Sequence, residues 1–103
     1  GTAYALERSV MAQTAKATVF EDNDRVRVTE WRFAPGTGTG SHVHELDYTV
    51  VPLSTGTLVV VSADGEDDND LVHGRPYFRR AGAEHNVVNR SDDEISFLEI
   101  EVK

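Results

Sequence analysis

Short apolar stretches rich in Val, Ile, Thr, Tyr, Phe and Trp recur along the chain, cut by clusters of Gly, Asn, Asp and Ser. That is the pattern of short β-strands joined by turns. It predicts strands at Ala17 to Phe20, Arg25 to Phe33, His42 to Leu53, Thr57 to Ser62, Pro76 to Arg79, His85 to Val88 and Ile95 to Val102. The breaks are Asp22-Asn23-Asp24, Pro35 to Gly38, Ser54-Thr55-Gly56, the acidic stretch Asp64 to Asp70, Ala81-Gly82-Ala83 and Ser91-Asp92-Asp93. Gly, Asn and Asp serve there because they tolerate the left-handed backbone of tight turns. Only Ala5 to Ala17, with Leu6, Val10, Met11 and Ala15, has apolar positions that allow a helix. The whole predicts an all-β sandwich or barrel, with no βαβ units. The run DGEDDND has its glycine at the second position where a calcium loop needs it at the sixth, so it is expected to be a solvated hairpin.

Composition narrows the classes. A chain of 103 residues, 39% of them hydrophobic, suits one soluble domain with a small core. No apolar run is long enough to span a bilayer as a helix, and the N-terminus lacks a signal-peptide pattern, so a cytoplasmic location is expected. With no cysteine, thiolate ligands, disulfides and a cysteine nucleophile are excluded, and any metal must be held by nitrogen and oxygen. A net charge of −8 argues against sequence-independent nucleic-acid binding. Arg32, Arg75, Arg79 and Arg80 are scattered among strands and form no basic stripe.

The chemistry concentrates in GSHVHELDY, residues 40–48. His42 and His44 lie two apart, so on a strand both imidazoles face one side, where they can grip one metal ion; two loop histidines are the plainer reading. A downstream block weighs against that plainer reading. Gly36 precedes His42 by five intervening residues; later come Gly74, five residues, Arg80-Ala81-Gly82, two residues, His85, three residues and Asn89. This resembles the two motifs of the cupin family, G-x5-H-x-H-x3-4-E-x6-G and G-x5-P-x-G-x2-H-x3-N, with Gly56 closing the first. The stretches HELDYTVVPLSTGTL and YFRRAGAEHNVVN are similar to the small single-domain cupins, some of which carry a β-alanine degradation label.

The resemblance implies a single-domain cupin β-barrel, a double-stranded β-helix or jelly roll, over residues 21–103. It also implies one divalent metal (Fe, Mn, Ni, Zn or Cu) on His42, His44 and His85. Two departures stand out. Arg80 replaces the proline, which Gly82 can offset by making the turn. The motif glutamate falls at Tyr48 by strand alternation or at Thr49 by counting back from Gly56, and neither is a carboxylate. Asp47 is the candidate fourth ligand, with Glu45 behind it, each needing a bulge to reach the site. Three neutral imidazoles would leave the ion's charge uncancelled and favour an anionic or bidentate ligand.

Two functions follow from the resemblance. One is a metal-dependent enzyme of oxygenase or isomerase type on a small anionic or carbonyl-containing metabolite, with Tyr48 or Thr49 orienting substrate and Arg32 or Arg79 pairing with its carboxylate. No general base is evident for it. The other is a non-catalytic small-molecule-binding module. Trp31, Phe33, Tyr48, Phe78 and Phe97 are expected in the core, Asn89 in a turn and His73 in solvent. The segment 1–20, with apolar Tyr4, Leu6, Val10, Met11 and Val19, is expected to pack in a homodimer.

Overall fold

The computed structural model describes residues 14–103. Their regular elements are nine strands: β1 Lys16–Asp22, β2 Val26–Phe33, β3 His42–Val43, β4 Asp47–Pro52, β5 Gly56–Ser62, β6 Gly65–Leu71, β7 Tyr77–Arg79, β8 Glu84–Val88 and β9 Ile95–Val102. A five-stranded sheet in the order β1-β2-β9-β4-β7 faces a four-stranded sheet in the order β3-β8-β5-β6. All pairings between these strands are antiparallel. Among the described residues no helix is long and apolar enough to cross a membrane. Of the segment expected to allow a helix, residues 5–13 lie outside the described residues, and Lys16 and Ala17 belong to β1.

The core is drawn from both sheets. Phe33, Tyr48, Val50, Ile95 and Phe97 of the larger sheet meet Leu58, Leu71 and Val87 of the smaller one. Phe33 and Phe97 stack with ring centres 5.7 Å apart. Gly56, which closes the first motif, sits against this core: a Cβ there would lie 2.9 Å from Ile95 Cδ1, so only glycine lets β5 approach β9 this closely. Phe78 was expected inside, yet it is 51% exposed. Its neighbours Tyr77 and Arg79 take the inward side of β7, and alternation turns Phe78 out.

Two predicted elements differ. The expected strand from His42 to Leu53 is broken into β3 and β4, which lie in different sheets. His44-Glu45-Leu46 is the corner where the chain changes sheets, and it still pairs by backbone: His44 N–H donates to Ala83 O at 2.9 Å, and Gly82 N–H to His44 O at 2.7 Å. The acidic stretch, expected as a break between strands and as a solvated hairpin, does form an exposed hairpin, but most of it is strand: β6 is paired with β5 from Gly56↔Leu71 to Ser62↔Gly65. Its hydrogen bonds come from the β5 backbone, so side-chain polarity does not oppose it, and β6 is an edge strand whose carboxylates stay in water.

Candidate metal centre

The site forms where β3, β8 and the corner after β3 converge. His42 and His85 are direct cross-strand partners, which puts both rings on one face. His44, two residues on, joins them from the corner. Gly82, at φ +107°, makes the turn into β8 that sets this pairing, so Arg80 in place of proline does not prevent it.

The three rings meet through their Nε2 atoms. His42 Nε2 and His44 Nε2 are 3.0 Å apart, as are His44 Nε2 and His85 Nε2. His42 Nδ1 lies 2.9 Å from Gly40 O, and a carbonyl oxygen only accepts, so Nδ1 carries the proton and Nε2 presents a bare lone pair. His44 Nε2 can carry one hydrogen at most, which cannot lie linearly along both 3.0 Å contacts. If His85 donates to His44 instead, the His42 and His44 lone pairs face each other. No placement of hydrogens gives two good bonds here, whereas one cation takes all three lone pairs. With ring-nitrogen bonds of about 2.1 Å, a 3.0 Å separation would subtend about 90° at a shared ion; the His42–His44 and His44–His85 pairs have this spacing, and all three ligand atoms lie within 4.8 Å of one another. The trio therefore fits a divalent metal.

Burial keeps these imidazoles available as ligands. His44 titrates at about 4, lowered first by burial and then by His42 and His85, with Glu101 opposing. His85 is lowered by burial and by His42. Tyr48 stacks on His44 with ring centres 4.1 Å apart and 20° between planes, so alternation from the histidines places Tyr48, and not Thr49, on the inward side. Its hydroxyl is pushed up to about 12, chiefly by burial, then by Glu99 and Tyr77.

The trio borders a cavity of about 280 Å³ inside the barrel. Tyr48 and Arg79 line it; Thr49 and Arg32 do not. Arg32 is engaged at the surface with Glu94 at 2.7 Å and Glu30 at 3.1 Å. Asp47, the candidate fourth ligand, is used elsewhere: its Oδ1 accepts Ala81 N–H at 2.8 Å, bracing the turn before β8. Among the described residues, the converging ligand group consists of the three histidines alone, without Asp47 or Glu45. Arg79 lies over the Tyr77 ring at 4.5 Å, and Asn69 Nδ2 donates to the Tyr77 hydroxyl at 2.9 Å. Asn89 is fully buried and donates to Phe33 O and Asp93 O, a turn-binding role.

Sequence reasoning missed the carboxylates of β9. Glu99 and Glu101 are both buried on its inner face, beyond Ile95 and Phe97. Arg27, directly opposite on β2, holds Glu101 by two bonds of 2.7 and 3.0 Å. Glu99 lines the cavity and titrates at about 7, raised by burial first and by Glu101 second, with Arg27 and a Trp31 hydrogen bond opposing. The available signal was the spacing of Glu99 and Glu101, two and four residues after Phe97, which puts all three on one face of a strand.

No protein-family model matches the chain. Beta-alanine degradation protein BauB of Pseudomonas aeruginosa is 54% identical over 89 residues, spanning 86% of this chain and 94% of BauB. A cupin domain from Bordetella pertussis is 51% identical and superposes with a TM-score of 0.86, covering 87% of this chain and 94% of that one. A sugar phosphate isomerase of the cupin superfamily from Silicibacter pomeroyi is 25% identical with a TM-score of 0.67, over 92% of this chain and 62% of its own. Such identity along nearly the full length of a solved cupin domain, on a barrel that gathers both motifs' histidines at one point, makes this chain a member of the cupin superfamily.

Proposed function

We propose that the protein is a divalent-metal-dependent enzyme, of isomerase or oxygenase type, acting on a small anionic or carbonyl-containing metabolite. The observation that carries this reading is the convergence of three Nε2 atoms at the wall of an internal cavity. His42, His44 and His85 would hold the ion, and imidazole suits Fe, Mn, Ni, Zn and Cu alike. When bound, the ion supplies Lewis acidity toward a substrate oxygen. Tyr48 forms the wall beside His44 and orients the substrate. Arg79 pairs with its anionic group, an arrangement supported by its place on the cavity lining. The relative's name, with its reference to β-alanine, agrees with a small carboxylate as substrate.

The absence of a carboxylate from the converging group, among the described residues, favours a second reading, a binding module that captures a small anion without turning it over. Metal analysis of the purified protein, followed by a screen for isomerisation and oxygen consumption on small keto acids and amino acids, separates the two. The His85→Ala protein is expected to retain less than about a tenth of the wild-type metal. Full occupancy in that variant would overturn the site.

We further infer a cytoplasmic homodimer. Val19 and Phe20 on the edge strand β1 are 55% and 60% exposed, a surface that a second copy would cover.

A further inference from the structure

Glu99 is a buried carboxylate of the cavity that the metal reading leaves without a task. It is 8% exposed, it lines the cavity, and among the described residues no cation pairs with it. Its neighbour Glu101 shows what a structural carboxylate looks like here: the Arg27 guanidinium grips both its oxygens. Glu99 has instead the Trp31 indole as donor, Thr29 opposite on β2 and Val50 opposite on β4. A buried carboxylate without a counter-ion costs stability and is retained where it does chemistry.

We propose that Glu99 is the acid–base residue of this cavity, exchanging a proton with a ligand seated at the three histidines. The proposal rests on the metal reading above and narrows it to isomerase-type chemistry. The ligand it suits is a small carbonyl compound whose oxygen points to the histidines and whose adjacent C–H points to β9. In the forward step the C–H bond breaks and the proton passes to a Glu99 carboxylate oxygen. The electron pair forms a carbon–carbon double bond as the carbonyl oxygen takes the negative charge. Where the carbon that lost the proton carries a hydroxyl, the hydroxyl proton moves to the former carbonyl oxygen, Glu99 returns its proton to the former carbonyl carbon and the carbonyl re-forms on the neighbouring carbon, which isomerises the ligand; return of the proton to the carbon it left only exchanges its hydrogen. No oxidant or co-reactant is consumed.

The surroundings suit this role. Burial and the Glu101 charge hold Glu99 near neutrality, at about 7, where it can both take and release a proton. Arg27 and Trp31 on β2 pull the other way. Tyr48 on β4 and Tyr77 on β7 are both pushed up by burial and stay neutral beside it. Arg79 on β7 and Asp67 and Asp68 on β6 complete the charged lining.

The test is carboxyl NMR of protein labelled with 13C-glutamate, titrated from pH 5 to 9 without metal and with zinc as a diamagnetic probe. Loss of one and the same resonance in Glu99→Gln and in Glu99→Asp assigns the signal. The expected midpoint is near 7 without metal, falling by about one unit or more when zinc binds, because a dication entering the same cavity favours the carboxylate. A midpoint below about 5, or one that zinc leaves unmoved while the histidine rings shift, would overturn the role of Glu99 alone. If zinc shifts no histidine ring, the metal reading fails, and the proposal fails with it.

Discussion

The two halves of the inner face of β9 differ sharply. Ile95 and Phe97 lie against Phe33, Leu58 and Leu71 and build a dry core, whereas Glu99 and Glu101, two and four residues further on, are just as buried but charged or titrating. One strand thus serves as core at one end and as site wall at the other. Within the polar half a second contrast appears: Glu101 is neutralised by Arg27, and Glu99 is left without a cation.

The largest effect is expected from breaking the apolar end. Phe33→Ala removes a fully buried ring from its stack with Phe97 and should cost about 3–5 kcal/mol in denaturant unfolding. The part that remains folded should still bind metal in the same stoichiometry, since Phe33 touches none of the histidines.

A smaller, pH-dependent gain should come from Glu99→Gln. An unfolded glutamate titrates near 4.3 and folded Glu99 at about 7, so between these values the folded state holds the extra proton and this group's contribution to stability falls as pH rises. Glutamine abolishes that slope. The variant should match wild type at pH 4.5 and exceed it by about 3 kcal/mol at pH 8. His44, held at about 4, acts in the opposite sense, with stability lost as pH falls from 6.5 toward 4. It is common to both proteins, so their difference isolates Glu99. Equal stability of the two proteins at pH 8 would mean that Glu99 carries no burial penalty.

The smallest effect sharpens the contrast between the two carboxylates. Arg27→Met leaves Glu101 buried without its partner; because the Arg27 side chain is 38% exposed and water screens the pair, the loss should be about 1–2 kcal/mol at pH 7. Unfolding curves of Arg27→Met and of the double variant Arg27→Met/Glu101→Gln check this, since removing the unpaired carboxylate should restore most of the loss. An equal loss in both variants would assign the role of Arg27 to packing.

Much of this molecule is local in origin. The Val- and Thr-rich runs become strands and the Gly, Asn and Asp clusters become turns because those preferences are properties of single residues and their neighbours. The spacing of His42, His44 and His85 within two glycine-framed motifs was likewise readable, since each motif is a short contiguous stretch. Other features depended on pairing. The run Gly65–Leu71 is a strand only because β5 supplies its hydrogen bonds, and no property of DGEDDND announces that partner. The choice between Tyr48 and Thr49 turned on where the chain changes sheets, which set Tyr48 against His44. In ISFLEIEV either set of alternating residues has apolar members, and a period of two does not say which face is inside. The opposite sheet decided it: Ile95 and Phe97 pack with Leu58, Leu71 and Val87, which puts Glu99 and Glu101 on the inner face and leaves Leu98 and Ile100 half-buried on the other, because a strand's inner side is defined by the sheet that packs on it.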